Sequence, residues 1–263
     1  MNRLNHFAGC MAIAVVACSC SSNSTESNPS DFDYVVDRFA DIEVLSYQVP
    51  EFDSLSLQQK MLVYHLTEAA IAGRDILWDQ NGKHNLAVRD MMENIYLNYN
   101  GAKDSQDYKA FEKYLKQIWF ANGLHHHYSM DKFTPGFSKE FLIEQINALP
   151  EDKQPKDRET LLALIFDPSV SPKKVNQAEG QDLILTSSTN IYEGVNQAEV
   201  EAYYAALKDT TDTTPISYGL NTRKVKIDGK VVEQPYKVGG LYTEAIERIV
   251  GELKEASKYA END

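Results

Sequence analysis

The chain has 263 residues, with 26 Lys and Arg against 39 Asp and Glu, so its formal net charge is -13. Hydrophobic residues make up 43% of the sequence, which excludes a wholly disordered or fibrous protein. The acidic balance and the lack of clustered Lys and Arg exclude a nucleic-acid-binding protein, because phosphate contacts need a basic surface. No run approaches the roughly 18 apolar residues that a membrane-spanning helix needs.

The first 20 residues, MNRLNHFAGCMAIAVVACSC, have the order of a secretory signal. Arg3 precedes an apolar stretch from Phe7 to Ala17, and a cysteine follows at once. The residues Val15-Val16-Ala17-Cys18 resemble the lipobox of bacterial lipoproteins, in which the chain is cut before the cysteine and its thiol is acylated.

The lipobox resemblance implies a signal peptide over residues 1–17, lipidation of Cys18 and a flexible polar tether over residues 18–30. It predicts a location in the bacterial cell envelope, with the protein anchored to a lipid membrane on the periplasmic side or in the outer membrane. An ordinary cleaved signal and a retained apolar helix are the alternatives.

The cysteines of the chain are Cys10, Cys18 and Cys20, so residues 21–263 contain none. This excludes a disulfide, a thiolate metal site and a cysteine nucleophile from the folded part of the protein.

Mainly helices are predicted for the first part of the folded region. Residues 31–53 are predicted to form an extended segment that lies against the body of the folded protein. Ser56 and Gln59 form a capping box, and the apolar stripe that follows predicts a helix of about 20 residues ending near Asn81-Gly82. Apolar residues at helical spacing predict four further helices, at Leu86–Tyr99, at Ser105–Asn122 with Gly123 as left-handed C-cap, after the cap Ser138, and at Leu161–Phe166.

The composition changes near residue 176. A strand is predicted at Leu183–Thr186, a helix from the Asn196 and Glu199 capping box to about Lys208, a hairpin over residues 223–238 around Asp228-Gly229, and a helix at Tyr242–Ala260. The predicted fold class is therefore α+β and helix-dominated, with a helical region at residues 31–175 and a mixed α/β region at residues 176–263.

The last predicted helix carries Ile246, Ile249 and Val250 at helical spacing. This apolar stripe needs a partner. The partner lies either earlier in this chain or in another polypeptide.

Known catalytic motifs are missing from the chain. The sequence has no H-E-x-x-H pair, no G-x-S-x-G elbow and no phosphate-binding loop. His125, His126 and His127 are consecutive and therefore point in different directions, so one metal ion cannot readily bind all three. We expect no metal site and no catalytic residue in this chain. The aromatic residues Trp119, Phe120, Tyr128 and Phe133 are expected in the core more often than in a ligand platform.

Three segments resemble the N-terminal region of the dipeptidyl peptidase III family, the M49 zinc metallopeptidases. The first, residues 62–73, reads LVYHLTEAAIAG and is similar to that family's Y-H-L-x-x-A-A-x-x-G helix. The second is Asn122-Gly123 with residues 132–135, KFTP, similar to a loop that closes with K-F-x-P. The third joins residues 190–194, NIYEG, to residues 218–223, YGLNTR. The resemblance as a whole covers about residues 40–263.

The resemblance implies a two-lobed zinc exopeptidase that removes dipeptides from the amino ends of short peptides. In the family, zinc lies on an H-E-x-x-G-H helix of the other lobe, and this motif is missing here. We therefore expect the N-terminal, substrate-lobe part of such an enzyme, inactive alone, with a C-terminal zinc lobe or a partner chain as its complement. A truncated or split gene would produce such a part.

The same resemblance predicts substrate-binding residues. In the family, the loop before K-F-x-P contributes to the peptide groove, and the matching positions are His127 and Tyr128. An aromatic ring at Tyr128 packs on a peptide side chain in this interpretation, and His127 donates a hydrogen bond. A surface loop without a ligand is the alternative.

The chain as a whole also has an alternative function. It is that of a membrane-tethered lipoprotein that binds peptides or other proteins without catalysis.

Overall fold

The computed structural model describes residues 32–261. The predicted signal peptide, the lipidation site Cys18 and the tether lie outside the described residues. The described part is α+β and dominated by helices, which confirms the predicted class. Its helices are α1 Leu57–Ala72, α2 Arg74–Asn81, α3 Asn85–Asn98, α4 Gln106–Ala121, α5 Lys139–Ala148, α6 Arg158–Phe166, α7 Gln197–Leu207 and α8 Thr243–Ser257. Its strands are β1 Val35–Phe39, β2 Ile42–Leu45, β3 Tyr192–Glu193, β4 Thr222–Ile227 and β5 Lys230–Pro235.

The extended N-terminal segment is an antiparallel hairpin of β1 and β2. It turns at Ala40, whose φ is 51°. The hairpin lies on α4, where Lys116 Nζ is 2.8 Å from Asp37 Oδ2 and lies over the Phe39 ring at 5.9 Å. The prediction that this segment lies against the body is confirmed.

The capping box of α1 is present as predicted. Ser56 Oγ accepts from the Gln59 N–H at 3.2 Å, and Gln59 Oε1 accepts from the Ser56 N–H at 3.0 Å. The single helix predicted up to Asn81 is wrong, because Gly73 separates α1 from α2. The Gly73 N–H donates to Ala70 O in a tighter turn, and glycine weakens a helix interior.

The main core lies among α2 to α6. Most of the residues predicted to face inward on α3 and α4 are buried there: Val88, Met91, Met92, Ile95, Tyr108, Phe111, Leu115 and Ile118. Two others predicted to face inward differ, since Tyr99 is half-buried and Trp119 is 36% exposed. Leu142 and Ile146 of α5 and Leu161 and Leu162 of α6 close the same core. Because the core consists of aliphatic and aromatic side chains at helical spacing, hydrophobic burial dominates its stability.

The C-cap of α4 differs from the prediction. The left-handed residue is Asn122, with φ of 52°, and not Gly123, whose φ is 150°. Asparagine tolerates the left-handed conformation. Gly123 is needed for another reason, because a Cβ there would clash with the Asn85 side-chain amide.

The strand predicted at Leu183–Thr186 is wrong, since these residues form turns. The Asp182 carboxylate accepts from the backbone N–H groups of Ile184 and Leu185 at 2.9 Å each, and from that of Gln197 at 3.0 Å. This local capping by a carboxylate competes with strand formation.

The hairpin of β4 and β5 is confirmed around Asp228 and Gly229, whose φ angles of 49° and 76° suit a type I′ turn. Strand β5 ends at Pro235, three residues earlier than predicted. Strand β3 adds to β4 in parallel.

Helix α8 packs on α1, so the apolar stripe of α8 has its partner earlier in the chain. Ile246, Ile249 and Val250 are each half-buried. Ile249 Cδ1 lies 3.4 Å from the position that a Cβ on Gly73 would occupy. Between residues 32 and 261, none of the helices combines the length and the apolar character needed to cross a bilayer.

Candidate functional site

The loop at residues 123–133, here called the histidine loop, connects α4 to the segment before α5. Its two ends pair, since the Phe133 N–H donates to Leu124 O at 2.9 Å and the His126 N–H donates to Asp131 O at 2.8 Å. The Lys174 N–H donates to Met130 O at 2.8 Å and ties the loop to the segment after α6. The loop is therefore held on two sides.

His125 is a structural residue of this loop. Its side chain is buried, and its Nε2–H donates to Ser171 O at 2.8 Å. Burial lowers the pKa of the His125 imidazole, because the charged form is poorly solvated there.

His126 uses both ring nitrogens. Nδ1 accepts from the backbone N–H groups of Tyr128 and Ser129 at 3.1 Å each, so the Nε2–H donates to Asp41 Oδ2 at 3.0 Å. This hydrogen bond lowers the pKa of the Asp41 carboxyl. His126 therefore joins the histidine loop to the turn between β1 and β2.

The three histidines do not converge on a common point suited to a metal ion. His125 and His126 have separate partners, as described above. Within residues 32–261, no group of three or more His, Cys, Asp or Glu side chains is placed to hold a metal ion.

The two predicted substrate-binding residues, His127 and Tyr128, lie side by side. Their ring centroids are 4.3 Å apart, and the Phe120 ring lies 5.0 Å from that of His127. Tyr128 is 83% exposed and Phe120 is 45% exposed, whereas His127 is half-buried. We call Phe120, His127 and Tyr128 the aromatic platform. The sequence favoured a core position for Phe120, and the structure places it instead in this exposed group.

His127 has an unused polar atom. Its Nδ1 is enclosed and has no hydrogen-bond partner within residues 32–261. An enclosed nitrogen without a partner is costly. Of the aromatic residues expected in the core, Phe133 is buried, while Trp119, Phe120 and Tyr128 keep exposed area.

A second polar cluster surrounds the C-terminal half of α2. Asn81 Nδ2 donates to Asn122 O at 3.0 Å. The Asn190 N–H donates to Gln80 O at 2.9 Å, and Asn190 Nδ2 donates to Asp79 Oδ1 at 3.0 Å. Burial raises the pKa of the Asp79 carboxyl. The end of α2 thus binds both the end of α4 and the segment before β3.

Charged side chains extend this cluster to the sheet. Glu193 in β3 pairs with Lys83 at 2.7 Å and also with Arg223 of β4. The Lys83 hydrogen bond is the main cause of the lowered pKa of the Glu193 carboxyl. Burial, together with the nearby Asp79, raises the pKa of Tyr242 to about 12.

Neither comparison with known proteins gives the chain a relative. No protein-family model matches this chain, and no curated protein matches its sequence.

Proposed function

We propose that this chain is the N-terminal, substrate-lobe part of a zinc-dependent exopeptidase similar to dipeptidyl peptidase III, which removes dipeptides from peptide N-termini. A lipid on Cys18 would anchor it in the bacterial cell envelope. The observation that carries the proposal is the meeting of the three resembling segments at α2. The first segment directly precedes α2, and the other two are far from α2 in the sequence.

The contacts at α2 involve all three segments. Residues 62–73 form most of α1 and lead directly into α2 through Gly73. Asn122 binds α2 through Asn81, and Asn190 binds it through Asp79 and Gln80. The first segment adjoins α2 along the chain, whereas folding brings Asn122 and Asn190 of the other two segments to it, and this shared position favours one inherited framework.

An exposed apolar surface supports a two-lobed protein. Helix α1 packs on α8 on one side, yet Val63, Tyr64 and Leu66 remain 44%, 55% and 46% exposed. Val63 and Leu66 are three residues apart and therefore lie on the same side of α1, and exposed apolar surface is typical of an interaction site. A second lobe, or a partner chain in its place, would cover it.

The aromatic platform supports peptide binding. The exposed Tyr128 ring offers a flat apolar face to a peptide side chain. His127 Nδ1 has no hydrogen-bond partner among residues 32–261 and is available to a peptide group that reaches it. In this proposal neither residue is catalytic, and both position the substrate.

The described residues do not supply a zinc site. No three-ligand group is available between residues 32 and 261, and the H-E-x-x-G-H motif does not occur in the sequence. We therefore assign no step of peptide hydrolysis to this chain. Zinc and the glutamate that activates water would come from the zinc lobe or from a partner chain.

Peptide binding is tested by fluorescence anisotropy with a fluorescein-labelled pentapeptide. We expect saturable binding that weakens at least several-fold in Tyr128→Ala and in His127→Ala. Tyr47→Ala is the matched control, because Tyr47 is 73% exposed and lies in the segment after β2. Equal binding by all four proteins would rule out the platform as a peptide site.

The larger protein is tested by a blot of cells with an antibody to residues 138–158. A native product far above 29.7 kDa supports a continuous two-lobed enzyme. A product near that mass directs the search to a partner chain carrying H-E-x-x-G-H. If no such partner restores cleavage of dipeptidyl arylamides, the alternative of a non-catalytic peptide-binding lipoprotein replaces the proposal.

A further inference from the structure

A cavity of about 510 Å³ lies between α2, α3 and the end of α4, and none of its lining residues belongs to the aromatic platform. Both tryptophans of the chain, Trp78 and Trp119, line it. Its charged lining residues are Arg74, Asp75, Arg89 and Glu93. We call these six residues the tryptophan groove. Its volume is within the usual range for small-molecule sites.

Two of the four charged groups neutralise each other. Arg89 Nη1 lies 2.8 Å from Asp75 Oδ1. The same guanidinium group lies over the buried Trp78 indole, 5.0 Å from its centroid. This ion pair forms a wall of the groove without net charge.

The other two charged groups have no ionic partner among residues 32–261. Glu93 Oε1 accepts a hydrogen bond from Trp119 Nε1 at 2.8 Å, but no cation pairs with its carboxylate. Arg74 is exposed and pairs with no carboxylate in the described chain. The groove thus carries one unpaired cation and one unpaired anion that do not pair with each other.

Arg74 lies between two helix ends. It is the first residue of α2, where the helix dipole disfavours a cation, and it follows the C-terminal end of α1, where the dipole favours one. Its guanidinium group is exposed and can bind a ligand carboxylate through two parallel hydrogen bonds.

We propose that the tryptophan groove binds a small zwitterion with a free ammonium and a free carboxylate group, of the size of an amino acid or a dipeptide. Its carboxylate pairs with Arg74 and its ammonium pairs with Glu93. An apolar side chain packs on Trp119, which is 36% exposed. This proposal does not depend on the peptidase proposal.

The test uses the tryptophan fluorescence of the full chain, since both tryptophans report on the groove. The probes are alanyl-phenylalanine, its N-acetyl form and its C-terminal amide. We expect saturable quenching by the free dipeptide and about tenfold weaker binding of either blocked form, which corresponds to about 1.4 kcal/mol.

Two variants assign the ends of the ligand. Arg74→Gln should weaken binding of the free dipeptide about tenfold and leave binding of the amide nearly unchanged. Glu93→Gln keeps an amide oxygen that can accept from Trp119. It should weaken binding of the free dipeptide about tenfold and leave binding of the N-acetyl form nearly unchanged. Arg38→Gln is the matched control, because this arginine is exposed on β1.

Two results would overturn the proposal. One is equal binding of the free and blocked dipeptides, and the other is unchanged discrimination in both groove variants. The Tyr128→Ala variant should bind the free dipeptide normally. Loss of pentapeptide binding and loss of dipeptide binding are therefore separate failures.

Discussion

His65 Nδ1 lies 2.8 Å from Glu252 Oε2, so that an imidazole in α1 holds a carboxylate in α8, 187 residues later in the chain. The His65 ring also stacks on Tyr259 at 5.7 Å with an interplanar angle of 13°. Both side chains of the pair are mostly buried, at 13% and 25% exposure. The contact joins the predicted helical region at residues 31–175 to the predicted mixed α/β region at residues 176–263.

Replacing His65 tests this connection. We expect His65→Ala to weaken the docking of α8 by about 1–2 kcal/mol, because a partly buried hydrogen bond and an aromatic stack are lost together. Hydrogen exchange should become faster over residues 243–257 and stay unchanged over α3 and α4. Thr67→Ala, an exposed change on the same helix, should leave exchange in α8 as it is; faster exchange in both variants would point to a general effect on α1.

The close approach at Gly123 predicts a costly substitution. Gly123→Ala should lower the free energy of unfolding by about 1–3 kcal/mol, because the new Cβ would clash with the Asn85 amide at a strained backbone position. Gly180→Ala is the control, since Gly180 also has a positive φ but has no atom within 4 Å of the new Cβ. Urea unfolding measures both, and equal losses would contradict the steric explanation.

The buried Lys224 predicts a non-additive pair. Its side chain is 1% exposed, and its Nζ lies 2.9 Å from Glu233 Oε1 and 5.0 Å from the Tyr204 ring centroid. Lys224→Ala should cost about 3 kcal/mol, because it removes a buried group and leaves a carboxylate unpaired. In the same unfolding assay, the double variant Lys224→Met with Glu233→Gln should cost clearly less than the sum of the two single variants, Lys224→Met and Glu233→Gln. Additive losses would show that the two side chains act independently.

Asp182 predicts a dependence of stability on pH. Hydrogen bonds from the backbone N–H groups, that of Leu185 first and that of Gln197 next, lower the pKa of its carboxyl. The folded pKa of Asp182 is below the unfolded value of about 3.9. The ionised carboxylate therefore contributes its full stabilisation of the folded state above the unfolded pKa, and this stabilisation is lost as pH falls through the folded pKa. The loss of stability in acid should be smaller in Asp182→Asn than in the wild type.

The measurement for Asp182 is the urea midpoint at intervals from pH 7 to pH 2. Asp152→Asn serves as the matched control, because Asp152 lies exposed in the turn after α5. If Asp152→Asn reduces the acid loss as much as Asp182→Asn does, the backbone hydrogen bonds at Asp182 are not its source.

Local patterns predicted much of the fold. Most of the inner faces predicted for α3 and α4, the two capping boxes and the Asp228-Gly229 turn were correct, because neighbouring residues alone determine capping, turn conformation and the spacing of apolar side chains. Trp119 was predicted to face inward and is 36% exposed. The prediction of a strand at Leu183–Thr186 was wrong, because the Asp182 carboxylate accepts hydrogen bonds from the backbone N–H groups of Ile184 and Leu185.

The candidate sites were less predictable. His127 and Tyr128 came from a resemblance, and their contact with Phe120 depends on how the histidine loop folds back on α4. The tryptophan groove had no signal in the sequence, because its residues come from three helices and only packing brings them together.

The sequence by itself determined the helix-dominated class, most helix boundaries and the composition of the core, since these follow from periodicity and from short-range hydrogen bonds. Only the tertiary structure decided that α8 pairs with α1, that His126 is bound to Asp41, and that Arg74 and Glu93 line one cavity without pairing. These relations join residues 19 to 187 positions apart, and their energies depend on distance and burial in space rather than on spacing along the chain.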